Sequence, residues 1–203
     1  MAATAHPMLT VPRFTIETLE RLRASLPEEG GRYELLDGTL LVTPAPRPAH
    51  EEVVARVANL LRNALGDAGI ARVAMRSEVR RGTTHYFEPD LLVYPSTFPL
   101  DGRWEQLTDW WLVVEVLSPS SRAYDSVLKR DAYLALGVRA LWLVDPNERR
   151  VEVWARGADR AIVLREDDTL YWSFGEGARE ARIVIDLADL FRDVPRLRSS
   201  EEA

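Results

Sequence analysis

Two acidic residues stand where acids are costly. Asp90 opens the apolar run Leu91-Leu92-Val93, and Glu115 lies inside another, with Val113 and Val114 before it and Val116 and Leu117 after it. A carboxylate in the interior of a central strand is expensive to bury unless it is paired or coordinates a cation. Acids on two neighbouring strands are the usual minimum for a hard divalent ion such as Mg²⁺, which takes oxygen ligands and keeps several waters. Each acid also has a plainer reading, Asp90 as a turn cap and Glu115 as half of a buried salt bridge with an arginine. Their joint placement favours the metal site.

A third residue is singled out by composition. Of the 26 basic residues 25 are Arg, and the one Lys is Lys129. Its surface reading is an i, i+4 pair with Asp125, contributing about 0.3–0.5 kcal/mol, and Arg would make that pair equally well. A compact, strongly hydrated ammonium is needed where the charge must approach a phosphate or a nucleophilic water. His50 opens a helical stripe of Val53, Val57, Leu61 and Ala64 and therefore points inward, as a structural histidine or as part of a site if the strand acids lie close. Glu34 shares a strand face with Leu36 and is another partly buried acid. Glu51 and Glu52 suit the first turn of a helix through its dipole, while His6 and His85 read as loop residues. Arg72, Arg76 and Arg80 are expected on one strand face, as a local nucleic-acid-binding patch.

These side chains must be carried by elements that the hydrophobic pattern outlines. Residues 15–22 read as a short helix capped by Thr15. Asp37-Gly38 between residues 32–36 and 39–42 signals a β-hairpin. Apolar residues at helical spacing run from His50 to Leu65. Strands are expected over 71–80, 87–94 and 109–117, then a helix over 122–136 stopped by Gly137, then a buried strand over 141–144. Later runs, ending near Phe191, read as peripheral strands and a short closing helix. The core order is helix, three strands, helix, strand. It is preceded by the N-terminal hairpin and followed by C-terminal strands, in an α/β fold with a mixed sheet. One domain over 14–193 is expected, with flexible termini at 1–13 and 194–203.

Composition narrows the function classes. The chain has 203 residues, 46% hydrophobic and 29% charged, with a mean hydropathy of −0.19, which is ordinary globular composition. Without cysteine there is no disulfide, thiolate metal site or cysteine nucleophile. No apolar run approaches the roughly 20 residues that span a bilayer. The first fourteen residues lack the pattern of a signal peptide, so a cytoplasmic location and no membrane partner are expected. A net charge of −6 speaks against broad non-specific nucleic-acid binding, though not against a local basic patch. Phosphate-cradling loops, dinucleotide fingerprints, GxSxG elbows and HExxH helices are absent.

The residues Tyr33-Glu34-Leu35 with Asp37-Gly38, His50, Pro89-Asp90, Glu115-Val116-Leu117-Ser118-Pro119-Ser120-Ser121, Lys129, Tyr133, Gly137-Val138 and the stretch from Leu141 to Pro146 together resemble the Uma2 family. That family is described as restriction endonucleases of the PD-(D/E)xK superfamily, and the resemblance covers roughly residues 15–190. It implies a restriction-endonuclease-like fold with Asp90 and Glu115 as the motif's acids. The sequence departs from the pattern two residues after Glu115, where Leu117 stands in place of lysine, and the family resemblance supplies Lys129 from the following helix. The same resemblance implies metal-assisted hydrolysis of DNA. Mg²⁺ or Mn²⁺ would be held by Asp90, Glu115 and the Val116 carbonyl, with Lys129 at the attacking water and His50 and Glu34 in support. A homodimer is the default partner arrangement for cutting both strands. The competing expectations are a catalytically silent nucleic-acid- or protein-binding module on the same fold, and an enzyme acting on another phosphate ester.

Overall fold

In the computed structural model, residues 12–25, 31–66, 68–118, 122, 124–176 and 179–195 are described. Most of both expected flexible termini lies outside them. Helix α1 (Ile16–Ser25) starts where Thr15 Oγ1 accepts a hydrogen bond from the Thr18 N–H at 3.2 Å, satisfying a donor that the first helical turn leaves unpaired. Strands β1 (Arg32–Leu36) and β2 (Thr39–Thr43) form the expected antiparallel hairpin. Asp37 and Gly38 take φ of 46° and 76°, the two positive angles that such a turn requires. Helix α2 (Pro48–Gly66) begins two residues before the expected start. Pro48 fits its first turn, where a missing N–H costs nothing.

Two of the expected strands are each divided. The run over 71–80 becomes β3 (Ala71–Met75) and β4 (Val79–Arg81), because the chain turns at Arg76 with φ 53°. The run over 87–94 becomes β5 (His85–Phe87) and β6 (Leu91–Pro95), separated by Glu88-Pro89-Asp90. Each break carries the chain from one sheet to another. A four-stranded sheet has the order β2-β1-β5-β4. A six-stranded sheet has the order β10-β9-β8-β7-β6-β3, with β7 (Leu112–Val116), β8 (Ala140–Asp145), β9 (Arg150–Ala155) and β10 (Ile162–Arg165). In that sheet β7 and β8 are parallel and the other pairs antiparallel. The expected core order is present as α2, β3, β6, β7, helix, β8.

The helix expected over 122–136 is composite. A π-helical turn over Tyr124–Lys129 runs into α3 (Arg130–Leu136), which Gly137 ends at φ 98°. Asp145, at the end of β8, accepts from Arg122 at 2.8 Å and from the N–H groups of Asn147 and Glu148, anchoring the segment that leads to Lys129. Of the Ser118–Ser121 cluster, residues 119–121 lie outside the described residues.

Strand alternation gives the six-stranded sheet two covered faces. On one, Leu91, Val93, Leu112, Val114, Val116, Trp142 and Val144 pack beneath α2 and the hairpin of β11 (Thr169–Glu176) and β12 (Arg179–Asp186), with α4 (Leu187–Phe191) at its end. The expectation of peripheral C-terminal strands holds for β10 at the sheet edge and fails for β11 and β12. Leu170, Phe174, Ala181, Ile183 and Ile185 of that hairpin are core residues, and Val194 beyond α4 is buried with them. On the other face, α3 and the four-stranded sheet cover Leu92, Val113, Leu117, Leu141 and Leu143. No helix among the described residues is long and apolar enough to cross a membrane.

Candidate active site

Antiparallel pairing of β6 with β7 sets Leu91 against Val114, and one further step along that register brings Asp90 to Glu115. Both side chains alternate onto the face covered by α3 and the four-stranded sheet. Asp90 Oδ2 accepts the Val116 N–H at 2.8 Å, so the carboxylate is fixed to the end of β7. The first turn of α2 delivers His50 to the same point. Its Nε2 lies 2.9 Å from the Val116 carbonyl and 3.3 Å from Asp90 Oδ2. Both neighbours are acceptors, so Nε2 carries the hydrogen and donates between them. Arg32, at the start of β1, places its guanidinium 2.6 Å from Asp90 Oδ1.

Lys129 closes the cluster from the helical side. It is 3% exposed, so the reading as half of a surface ion pair fails for it. The side chain of Asp125 lies outside the described residues. Lys129 Nζ is 2.7 Å from Glu34 Oε2 on β1 and 3.4 Å from Glu115 Oε1 on β7, and thus ties the two sheets together. Tyr133, one helical turn further on, donates its hydroxyl to Glu115 Oε1 at 2.7 Å. Glu34 Oε1 accepts the Glu88 N–H at 2.9 Å. Both acids are therefore paired, but not as their plainer readings held: Asp90 pairs with Arg32 instead of serving as a turn cap, and Glu115 with a lysine and a tyrosine instead of an arginine.

Burial and charge act against each other here. Burial by itself would raise the Asp90 carboxyl, but the hydrogen bond and charge of His50, the Arg32 guanidinium and the Val116 N–H override it and lower the group to about 2. Burial would lower His50, and Asp90 more than offsets that, so its pKa is raised. The Arg32 guanidinium, despite burial, is held more firmly charged by Asp90, Glu115 and Glu34. Three acids, Asp90, Glu115 and Glu34, thus face Arg32, Lys129 and His50, whose raised pKa favours its charged form.

Among the described residues no three His, Asp or Glu side chains form a ready metal cage. The donor set fits a hard divalent ion with fewer protein ligands. Asp90, Glu115 and the Val116 carbonyl offer only oxygen, and Asp90 Oδ1 is buried without an aligned hydrogen bond. Mg²⁺ is commonly held by one or two carboxylates with water completing its shell.

All six expected members of this site, Asp90, Glu115, Val116, Lys129, His50 and Glu34, come together. The arginine patch does not form as expected. The turn at Arg76 ends the shared strand face, leaving Arg72 on β3 and Arg80 on β4 in different sheets. Arg72 donates to the Phe98 carbonyl. Arg76 extends toward Glu51 at 3.4 Å, while Arg80 is held by Glu78 and Glu20 over the Tyr86 ring. Glu52 pairs with Arg56. Two members lie outside the expected set: Arg32, read only as part of the hairpin, and Tyr133, named in the family resemblance without a site role. Both signals were present, since Arg32 precedes Glu34 by one strand repeat and Tyr133 comes one helical turn after Lys129.

The Uma2 family model, described as "Putative restriction endonuclease", matches residues 16–197. A crystal structure from Anabaena variabilis ATCC 29413, described as "a putative nuclease belonging to DUF820", superposes with a TM-score of 0.70 at 20% identity, over 88% of this chain and 97% of that one. At that identity the likeness shows the fold alone. No curated protein matches the chain. Since the family model spans nearly all of the α/β unit, from α1 to past α4, this protein belongs to the Uma2 family.

Proposed function

We propose that this protein is a nuclease that hydrolyses DNA phosphodiester bonds with the help of Mg²⁺ or Mn²⁺. The observation that carries this reading is the meeting of Asp90, Glu115 and Lys129 at the end of β7, from three separate segments of chain. The family description and the fold of the Anabaena protein support it. Asp90, Glu115 and the Val116 carbonyl would hold the ion. Bound there, such an ion polarises the phosphate and lowers the pKa of an attacking water. Lys129 orients that water or neutralises charge developing on the phosphate. Glu34 keeps the lysine chain extended into the site, and His50 holds both Asp90 and the Val116 carbonyl in place. A homodimer would supply one centre for each DNA strand.

Cleavage of plasmid and single-stranded DNA in Mg²⁺ or Mn²⁺ is the expected result, with Glu115→Gln at least about 100-fold slower. Intact DNA with the unsubstituted protein, or equal cutting by the variant, refutes the proposal. One observation favours the second reading, a catalytically silent module: the acids are already paired with Arg32, Lys129 and His50 and nearly fully buried. Calorimetric titration with Mn²⁺ separates the two, since a silent module gives no heat that depends on Glu115.

A further inference from the structure

We infer that Arg32 is an exchangeable clamp: it holds Asp90 in the resting protein and turns to the substrate phosphate when a divalent ion takes its place. This rests on the nuclease reading and assigns a role that Asp90, Glu115 and Lys129 do not fill. Of the cluster's charged side chains Arg32 is the outermost, 18% exposed against 8% or less for His50, Asp90, Lys129, Glu34 and Glu115. A phosphate entering from solvent meets it first.

The two oxygens of Asp90 are held in different ways. Oδ2 takes an aligned bond from the Val116 N–H at 2.8 Å and has His50 Nε2 3.3 Å away, itself held by the Val116 carbonyl, so both of its neighbours are fixed by the fold. Oδ1 lies 2.6 Å from the Arg32 guanidinium yet accepts no aligned hydrogen bond. That half of the pair is held by charge, without the geometric lock of a two-bond fork, and is the half that can change partner. Carboxylate and phosphate are the two anions that a guanidinium matches. Moving Arg32 away would leave the buried Oδ1 of Asp90 without its guanidinium, which is unfavourable unless another cation takes its place. With a divalent ion on Asp90 and a phosphate on Arg32, every charge keeps a partner. The exchange is therefore allowed only when metal and substrate are both present. The nearness of Glu115 and Glu34 to the same guanidinium means that Arg32 shields the whole acid cluster from other cations.

A competitor for the metal that is also a ligand for the substrate gives effects of opposite sign, which a structural role would not. Arg32→Met and Arg32→Lys would be titrated with Mn²⁺ by calorimetry, and with a short labelled DNA duplex in Ca²⁺ over a range of NaCl, alongside thermal unfolding. For Arg32→Met, Mn²⁺ binding is expected to tighten about fivefold. DNA binding is expected to weaken about tenfold, with the salt slope reduced by about one. Arg32→Lys keeps the salt slope and falls between on DNA affinity. Weaker Mn²⁺ binding in step with weaker DNA binding, or unchanged DNA binding, overturns the clamp and leaves the nuclease reading intact. If the Met variant does not fold, the Lys variant decides: Mn²⁺ affinity below that of the unsubstituted protein overturns it. No Mn²⁺ binding by the unsubstituted protein removes the metal reading, and the clamp with it.

Discussion

Beneath α2, the six-stranded sheet presents Leu91, Val93, Leu112, Val114, Val116, Trp142 and Val144, all apolar and all buried. On the reverse face of the same strands, Val113 and Leu117 flank Glu115, which is as deeply buried as they are. Asp90, Glu34 and Lys129 join it in the space beneath the four-stranded sheet and α3. Removing apolar surface from water stabilises the first face by roughly 25 cal/mol per Å². Burying ions on the second costs several kcal/mol for each before pairing offsets it. The same strands thus divide the labour, one face making stability and the other holding charge. The charges sit where β7 ends and a second sheet begins, because only there can cations and amide groups from four segments reach them. A buried ion cluster that apolar side chains could replace is weak support for a fold, and its presence points to chemistry.

The contrast predicts two costs of similar size and different origin. Trp142→Ala removes apolar bulk and should destabilise by about 3–5 kcal/mol. Lys129→Met leaves Glu34 and Glu115 buried without their shared cation and should cost about 3–5 kcal/mol as well. Adding Glu34→Gln should recover much of the second loss and none of the first, read from urea unfolding midpoints. Equal responses in the two backgrounds would break the distinction between the faces.

The same contrast explains how much of the molecule could be read from its sequence. Apolar patterning outlined the hairpin, α2, β7 and β8, because burial on one or two faces writes itself into residue spacing. Asp90 and Glu115 stood out because acids interrupt that spacing. The divided strands did not, since Arg76 looks locally like the continuation of a strand and Glu88-Pro89-Asp90 marks a break without showing that the chain changes sheet there, which only pairing partners reveal. The supposed arginine face failed for that reason. For the C-terminal hairpin, alternation marks one buried face without naming what that face packs on, and so the sequence alone makes it peripheral. Arg32 and Tyr133 are ordinary residues for an exposed strand start and a helix, and their roles depend on contacts from far along the chain.

Protonation probes the polar face without mutation. Asp90 is lowered from 3.8 to about 2, so its contribution is present above the ordinary value and lost as pH falls from about 4 to about 2. That loss is on the order of 2 kcal/mol. His50 is raised from 6.5, so its contribution is complete below 6.5 and fades as pH rises through its folded value. The two signs bracket a plateau from about pH 4 to 6.5, to be traced by thermal unfolding against pH. His50→Gln should flatten the alkaline limb and, because the charge of His50 helps lower Asp90, also shift the acid limb to higher pH. An unchanged alkaline limb in that variant would mean that His50 and Asp90 are not electrostatically linked.

The smallest effect tests whether depth, and not charge pairing as such, separates these regions. Arg76 faces Glu51 at 3.4 Å, the same separation as Lys129 and Glu115, but its side chain is 70% exposed. Water and salt screen such a pair, and ordering two long side chains offsets what attraction remains. Arg76→Ala should therefore shift the unfolding free energy by less than about 0.5 kcal/mol, with the shift smaller at high than at low NaCl. Asp90, Glu115 and Lys129 cannot be relaxed by water in this way, so their pairing must be complete within the protein. A cost above about 1 kcal/mol for Arg76→Ala would show that surface pairs contribute on the scale of buried ones, and burial would no longer explain why the charged face is confined to the end of β7.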